Sequence, residues 1–368
     1  MQKQAINPSH PIPAQKILII GAGAIGSLIG GRLKMAGHQI TLVGREALRT
    51  ALEREGVTII TDGQPQRTRE LTVVTSTRAA FAHRQQYDWL FLTPKAFDVA
   101  TAAHELRAAT TLIPPVITLQ NGIGSEETAA TILGADNIIA GTLTIPVEVL
   151  SPARISTINK GGIGLARWST TSPDPTPLAS ILRDAGVRTN LYDDPHAMKW
   201  SKLLLNMIGN ATSAILAWPP QHTFANPHLY HIELNALTEA RRVMQTKGIN
   251  TIALPSYPAH LQFAALEYLP RWLTRPIMRR LVAKGRGGKM PSLYLGVEAG
   301  RKRSEVEVLN GAVVAAGKEV GVPTPVNRVL TRLVIELASG EREWAFYRHN
   351  AEALLQEIRH SKELWGSI

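Results

Sequence analysis

The 368-residue sequence contains no cysteine, few aromatic residues and no long apolar run. Without cysteine it has no disulfide, thiolate metal site or cysteine nucleophile, which fits a reducing cytoplasm. Aromatic residues make up 5% of the chain, too few for the stacking surfaces that bind single-stranded nucleic acid. The longest apolar stretch, residues 17–31, is broken by glycine and too short to span a bilayer. We therefore expect a cytoplasmic globular protein without a membrane span.

Negative charge is also scarce, because 40 basic residues outnumber 29 acidic ones and leave a net charge of +11. Such a balance favours nucleic acid, an anionic membrane or small anionic ligands. The basic residues are scattered, except at 271–289 and 301–303. With few aromatic residues beside them, we expect a small anionic ligand and no nucleic-acid partner. Neither a cluster of metal-ligand spacing nor a nucleophile elbow occurs, so we expect no metal.

Residues 16–45 contain the most informative pattern, an apolar strand at 17–20, the loop GAGAIG, a small-residue helix and a second strand at 39–43. In a βαβ nucleotide fold Gly21 permits the tight turn, Gly23 lets the backbone approach a pyrophosphate, and Gly26 lets helix and strand pack. Ala22, Ala24 and Ile25 complete the loop. The unpaired N–H groups at the helix start attract phosphate. This stretch predicts a dinucleotide site.

Arg45 occupies the position where an NAD site usually carries an acidic residue for the ribose hydroxyls. A guanidinium binds a 2′-phosphate in bidentate fashion, whereas a carboxylate repels it. Arg45 therefore favours NADP(H) as the cofactor. The alternative is a solvated loop arginine next to Glu46, which could itself hold a ribose.

The order of apolar runs predicts an α/β protein, with an N-terminal Rossmann-type doubly wound sheet and a C-terminal all-helical domain. Residues 154–158 and 163–166 are predicted to form a hairpin around Lys160-Gly-Gly162, and 187–192 the last strand. Helices are predicted at 196–217, 227–248, 292–320 and 327–338. The cleft between the two halves is the expected site of chemistry.

The helix predicted at 196–217 carries a polar stripe of Lys202, Asn206, Asn210 and Ser213 among apolar residues. Asparagine is a poor helix former, which suggests that the stripe meets a polar ligand. An exposed polar face is the equally simple alternative. Partial burial lowers the pKa of a lysine, so Lys202 is the candidate proton donor.

Four residues outside the stripe are further candidates. Asn121, in LQNGIG, follows a predicted strand at the edge where ligands bind, but Asn-Gly also marks ordinary turns. Lys95, in TPKAFD, follows another strand and could face the cofactor or be a surface charge. Ser292 could bind a carboxylate, and Glu305 could hold a ribose or a substrate hydroxyl, or be solvated.

In their order and spacing these motifs resemble the ketopantoate reductase (2-dehydropantoate 2-reductase) family, from Lys16 to about Leu337. The resemblance implies hydride transfer from NADPH to ketopantoate, a small 2-oxo acid, giving pantoate for pantothenate synthesis. It also implies residue roles: Lys202 as proton donor, Asn206, Asn210 and Ser292 with Lys202 as substrate ligands, and residues 21–26, Arg45, Lys95, Asn121 and Glu305 as cofactor contacts.

The order of predicted elements and the resemblance together give the domain boundaries. We expect a flexible leader at 1–15, an NADP-binding domain at 16–192, a helical substrate and dimerisation domain at 193–339 with an insertion at 254–288, and an extension at 340–368. The chain departs from the family at Gly296, where an aspartate is usual, and at Pro220, where some members have a substrate-contacting asparagine.

Three alternatives stay open at this point. One is a reductase of a different 2-oxo acid or β-hydroxyacid with the same plan, and another is a non-catalytic NADP-sensing protein. The third concerns the inserted helix, which could lie on a membrane with Trp272, Leu273, Ile277 and Met278 opposite Arg275, Arg279 and Arg280. A basic flap or a homodimer contact is the simpler interpretation of that helix.

Overall fold

A computed structural model describes residues 12–286 and 290–365. The predicted leader lies outside the described residues as far as residue 11. The strands are β1 (Lys16–Ile20), β2 (Gln39–Val43), β3 (Val57–Thr61), β4 (Gln64–Thr68), β5 (Thr72–Val74), β6 (Trp89–Leu92), β7 (Val116–Thr118), β8 (Ile138–Leu143), β9 (Val147–Ser151), β10 (Arg154–Thr157), β11 (Ile163–Arg167) and β12 (Thr189–Tyr192).

Helices alternate with the strands and then form the C-terminal half. They are α1 (Ala24–Met35), α2 (Glu46–Glu55), α3 (Thr77–His83), α4 (Val99–Ala109), α5 (Ser125–Leu133), α6 (Thr176–Asp184), α7 (Pro195–Met207), α8 (Ala211–Leu216), α9 (Pro220–Ala225), α10 (Pro227–Thr246), α11 (Ala259–Tyr268), α12 (Arg271–Arg286), α13 (Ser292–Glu298), α14 (Asn310–Val320), α15 (Pro325–Ser339), α16 (Trp344–Tyr347) and α17 (Ala351–Trp365). None of the described helices is long and apolar enough to cross a membrane.

The main sheet has eight strands in the order β12-β11-β8-β7-β6-β1-β2-β5. Neighbouring strands in this sheet run parallel, except that β8 and β11 are antiparallel to each other. Side chains alternate between its faces: Ile17 and Ile19 pack with α1 and α6, whereas Leu18 and Ile20 pack with α3, α4 and α5. Helices on both faces confirm the predicted α/β fold class and its Rossmann-type sheet.

The predicted hairpin at 154–158 and 163–166 is wrong, because its two strands lie in different sheets. β10 pairs with β9 and with β3 in a four-stranded sheet, β4-β3-β10-β9, while β11 joins the main sheet. Between them Gly161 has φ +90°, and the Gly162 carbonyl accepts from the Thr144 N–H at 2.9 Å. The glycines therefore carry the chain from one sheet to the other.

The helix predicted at 196–217 is interrupted. α7 ends at Met207, Gly209 has φ +59°, and α8 begins after Asn210. The buried carboxylate of Glu233 on α10 accepts from the Gly209 N–H at 2.8 Å and from the Thr212 hydroxyl at 2.5 Å. This partner stabilises the break, so the polar stripe does not continue on one helix.

The long helix predicted at 292–320 is also wrong. The chain forms α13, a turn in which Gly300 has φ +58°, a 3₁₀ helix at Glu305–Val308 and then α14. The Ser304 hydroxyl accepts from the Val306 N–H and so begins the 3₁₀ helix. Glu305 consequently lies at the start of this short 3₁₀ helix, on a side that faces the nucleotide-binding half.

Residues beyond 340 pack against the helical half. The Arg342 side chain forms ion pairs with Glu336 at 2.7 Å and with Glu357, and the indole N–H of Trp344 donates to the Ile215 carbonyl at 2.9 Å. Residues 366–368 of the predicted extension lie outside the described residues. The described part of the extension therefore belongs to the helical core.

Candidate active site

The glycine-rich loop after β1 has the shape that its sequence predicts. Gly21 has φ +101°, and a Cβ there would lie 2.6 Å from the Pro94 nitrogen. A Cβ on Gly26 would lie 2.4 Å from the Gly21 carbonyl oxygen, whereas one on Gly23 would meet nothing within 4 Å. Side chains are thus excluded where the loop packs, and the backbone is open at Gly23, where a pyrophosphate would approach the start of α1.

The end of β2 is tied to this loop, because the N–H groups of Gly21 and Ala22 donate to the Val43 carbonyl at 3.2 and 3.1 Å. Arg45 lies two residues further on, at the start of α2, and its side chain is exposed. Its guanidinium is therefore available at the end of the loop where the ribose of a dinucleotide would lie.

Lys95 and Glu305, far apart in sequence, form an ion pair of 3.0 Å. Lys95 follows β6 and Glu305 belongs to the helical half, where its side chain is 11% exposed. The Thr93 hydroxyl donates to the Gly21 carbonyl at 2.7 Å, which places this pair near the glycine-rich loop. Arg303 adds a second link between the halves by contacting Asp98 at 3.3 Å.

The amide side chains also join the two halves. The Asn206 Nδ2 on α7 donates to Asn121 Oδ1, after β7, at 3.1 Å. The Asn210 Nδ2 donates to the Asn206 carbonyl at 3.1 Å, and its Oδ1 accepts from the Leu293 N–H at 3.3 Å. The buried Asn210 thus connects α7 with the start of α13, where Ser292 is exposed.

A cavity of about 370 Å³ opens beside α7, and Lys202 and Asn206 are among its described lining residues. The turn after β8 and Lys160 contribute to its rim. Asn210 and Ser292 lie outside the lining, so their contact with substrate stays a prediction. Two of the four predicted substrate ligands therefore meet in one cavity.

The segment 254–288 also contributes to this cavity, through apolar side chains of α11 and α12. Among the described side chains of α12, Thr274, Met278 and Val282 are buried, whereas Trp272 and Ile277 are exposed. Met278, which the membrane alternative placed on an outward apolar face, therefore points inwards. Helical spacing alone did not indicate which side would pack.

Lys199 is a site residue that the sequence reasoning missed. Its side chain is 4% exposed, and its ammonium donates to the Gln120 carbonyl at 2.7 Å and the Gly141 carbonyl at 3.4 Å. It also pairs at 2.8 Å with Glu126, whose side chain is 2% exposed. Lys199 thereby holds α7 against the residue pair after β7, the middle of β8 and the start of α5. The sequence signal for this buried ion pair was that Lys199 and Glu126 each lie on an otherwise apolar face.

Two family models match the chain: Ketopantoate reductase PanE/ApbA over residues 17–170 and Ketopantoate reductase PanE/ApbA C terminal over residues 194–338. The 2-dehydropantoate 2-reductase of Archaeoglobus fulgidus is 28% identical over 331 residues, covering 89% of this chain and 99% of that protein. The enzyme of the same name from Halobacterium salinarum is 26% identical, over 87% and 97%.

Two solved structures share the fold. The PanE/ApbA family ketopantoate reductase of Ralstonia eutropha JMP134 superposes with a TM-score of 0.74 at 25% identity, covering 89% of this chain and 100% of that one. D-mandelate dehydrogenase with NADH and anilino(oxo)acetate superposes with a TM-score of 0.73 at 21% identity, covering 88% and 99%.

Proposed function

Because the chain belongs to the ketopantoate reductase family, we propose that it reduces ketopantoate to pantoate with NADPH, for pantothenate synthesis. The observation that carries this proposal is the meeting of Lys202 and Asn206 in one cavity, with Asn206 hydrogen bonded to Asn121 of the nucleotide-binding half. A proton donor and an amide thereby lie at the strand edge where the cofactor-binding loop also ends.

The glycine-rich loop fits the cofactor, since Gly23 leaves open space at the start of α1. When bound, NADPH supplies a hydride to the 2-oxo carbon of the substrate. Lys202 donates a hydrogen bond to the 2-oxo oxygen, stabilises the charge that develops there and gives up its proton to complete the alcohol. Water then reprotonates Lys202. Asn206 orients the substrate beside it.

NADPH is proposed over NADH because of Arg45, whose exposed guanidinium follows the end of β2 and suits a 2′-phosphate. Lys95 and Glu305 are proposed to align the cofactor from either side of the cleft. Parallel assays with NADPH and NADH on a panel of 2-oxo acids test the cofactor and the substrate together. Activity on another 2-oxo acid without turnover of ketopantoate would remove the specific substrate assignment.

Lys202→Ala tests the mechanism. We expect kcat to fall by at least 10²-fold, because general acid catalysis contributes roughly 10²–10⁴, while the Kd for NADPH changes little. Lys247→Ala, at the exposed residue that follows α10, is the matched control and should leave both values unchanged. A wild-type protein that binds NADPH but is as inert as Lys202→Ala on every 2-oxo acid would favour the NADP-sensing alternative.

A second candidate is the reduction of a different 2-oxo acid, which the apolar side chains that line the cavity together with Lys202 favour. D-mandelate dehydrogenase, which shares the fold, was solved with anilino(oxo)acetate, an oxo acid derivative with an aromatic group. The same substrate panel separates this candidate from ketopantoate.

A further inference from the structure

The segment 254–288 is fixed to the nucleotide-binding half at its base. The Thr144 hydroxyl donates to the Pro255 carbonyl at 2.9 Å, and the Ser256 hydroxyl accepts from the Gly161 N–H at 3.1 Å. The Lys160 ammonium lies 4.8 Å from the centre of the Tyr257 ring. These contacts place the start of α11 beside the cavity and hold it there.

The inner face of α12 is fixed in the same way. The Tyr230 hydroxyl on α10 donates to the Thr274 hydroxyl at 2.8 Å, and both side chains are buried. One and two turns further on, Met278 and Val282 are each 8% exposed and pack with Phe224. The helix therefore presents a defined apolar surface rather than a mobile flap.

That surface and Lys202 line one cavity. Phe263, Leu266, Met278 and Val282 contribute apolar side chains to it, and Lys202 and Asn206 contribute an ammonium and an amide. A 2-oxo acid combines the same two kinds of group, since its carboxylate and ketone are polar and its substituent can be apolar. About 370 Å³ is within the size range of small-molecule sites, roughly 300–1,000 Å³.

We propose that the inner faces of α11 and α12 form an apolar subsite for the substrate's substituent, and that the site selects 2-oxo acids with branched or aromatic side chains. This inference rests on the proposed function, because it takes the part of the cavity near Lys202 as the reacting part. An apolar substituent reaches this subsite and displaces water from it, whereas the methyl group of pyruvate leaves the subsite hydrated.

The test is the kcat/KM for NADPH-dependent reduction of pyruvate, 2-oxo-4-methylpentanoate and phenylpyruvate. We expect kcat/KM to rise about tenfold or more from pyruvate to the larger acids, the effect of added apolar groups in a hydrophobic pocket. Leu281→Trp narrows the cavity from its rim and should remove most of that rise while leaving pyruvate within about twofold. Ile277→Trp, on the same helix outside the lining and similarly exposed, is the matched control.

Equal kcat/KM values along the series, or an equal loss for all acids in Leu281→Trp, would overturn the subsite and leave the reductase function intact. Failure of the wild type to reduce any 2-oxo acid would instead remove the proposed function. The subsite is then decided by calorimetric binding of 4-methylpentanoate and acetate in the presence of NADP⁺. Tighter binding of 4-methylpentanoate that Leu281→Trp abolishes supports the subsite, and equal affinities refute it.

Discussion

Removing one member of the buried Lys199–Glu126 pair should destabilise the protein far more than removing a surface ion pair. The ammonium has three N–H groups, and Gln120, Gly141 and Glu126 each accept from one of them. Glu126→Leu leaves a buried cation with two carbonyl partners, and Lys199→Met leaves a buried carboxylate with the Thr118 hydroxyl at 2.8 Å. Uncompensated buried charge of this kind costs about 3–5 kcal/mol.

The free energy of unfolding, from urea denaturation followed by circular dichroism, measures this cost. Each single variant should lose about 3–5 kcal/mol, which multiplies the unfolded population by roughly 10²–10³ or more. The double variant, with methionine at 199 and leucine at 126, should lose less than half of the summed single losses, because neither charge is then left alone.

The Lys247–Glu319 pair, with side chains 30% and 65% exposed, is the control. Lys247→Met should change the free energy of unfolding by no more than about 1 kcal/mol. Single losses at Lys199 and Glu126 as small as this, or a double loss equal to the sum of the single losses, would refute the reasoning.

Three further predictions concern the cofactor loop and its surroundings. Arg45→Asp should reverse the preference for NADPH over NADH in kcat/KM, and an unchanged ratio would exclude Arg45 as the 2′-phosphate ligand. Gly21→Ala should weaken NADPH binding at least tenfold in fluorescence titration, because the Cβ would collide with the backbone at Pro94. Burial lowers the pKa of His38, whose Nδ1 accepts from the Gln15 N–H at 3.1 Å. Its contribution to stability is therefore complete above about pH 6.5 and is lost as pH falls through the folded-state pKa, so thermal melts of His38→Asn should depend less on pH between 7 and 5.

The cofactor half could be predicted from sequence where its structure depends on neighbouring residues. The strand predicted at 17–20 is observed at Lys16–Ile20, the one at 39–43 has the same bounds, and the glycines lie between them as expected. A turn that requires φ above zero and a strand of buried β-branched residues are both local requirements. Each leaves a direct mark in the sequence.

The pairing of strands, by contrast, has no local signature in the sequence. β10 and β11 are separated by the five residues 158–162, two of them glycines, which is typical of a hairpin, yet β10 pairs in parallel with β3 from much earlier in the chain. The interruption between α7 and α8 likewise depends on Glu233, which belongs to another helix. At the β10–β11 connection and at the α7–α8 break, the pattern of apolar residues fits the predicted structure as well as the observed one. The contact with a distant part of the chain therefore decides which structure forms.

The two lysines of α7 differ in burial, and this difference is the reason for proposing one of them as the proton donor. Lys199 and Lys202 are three residues apart, a rotation of about 300° around the helix, so their side chains start from neighbouring directions. Lys199 is enclosed, and three protein acceptors hold its N–H groups. A proton passed from Lys199 would break the ion pair that connects α7 with Glu126 of α5. Lys202 lines the cavity one turn further along the same helix, and this position is the reason for proposing Lys202 as the proton donor. Lys199 fixes the helix that carries the proposed donor.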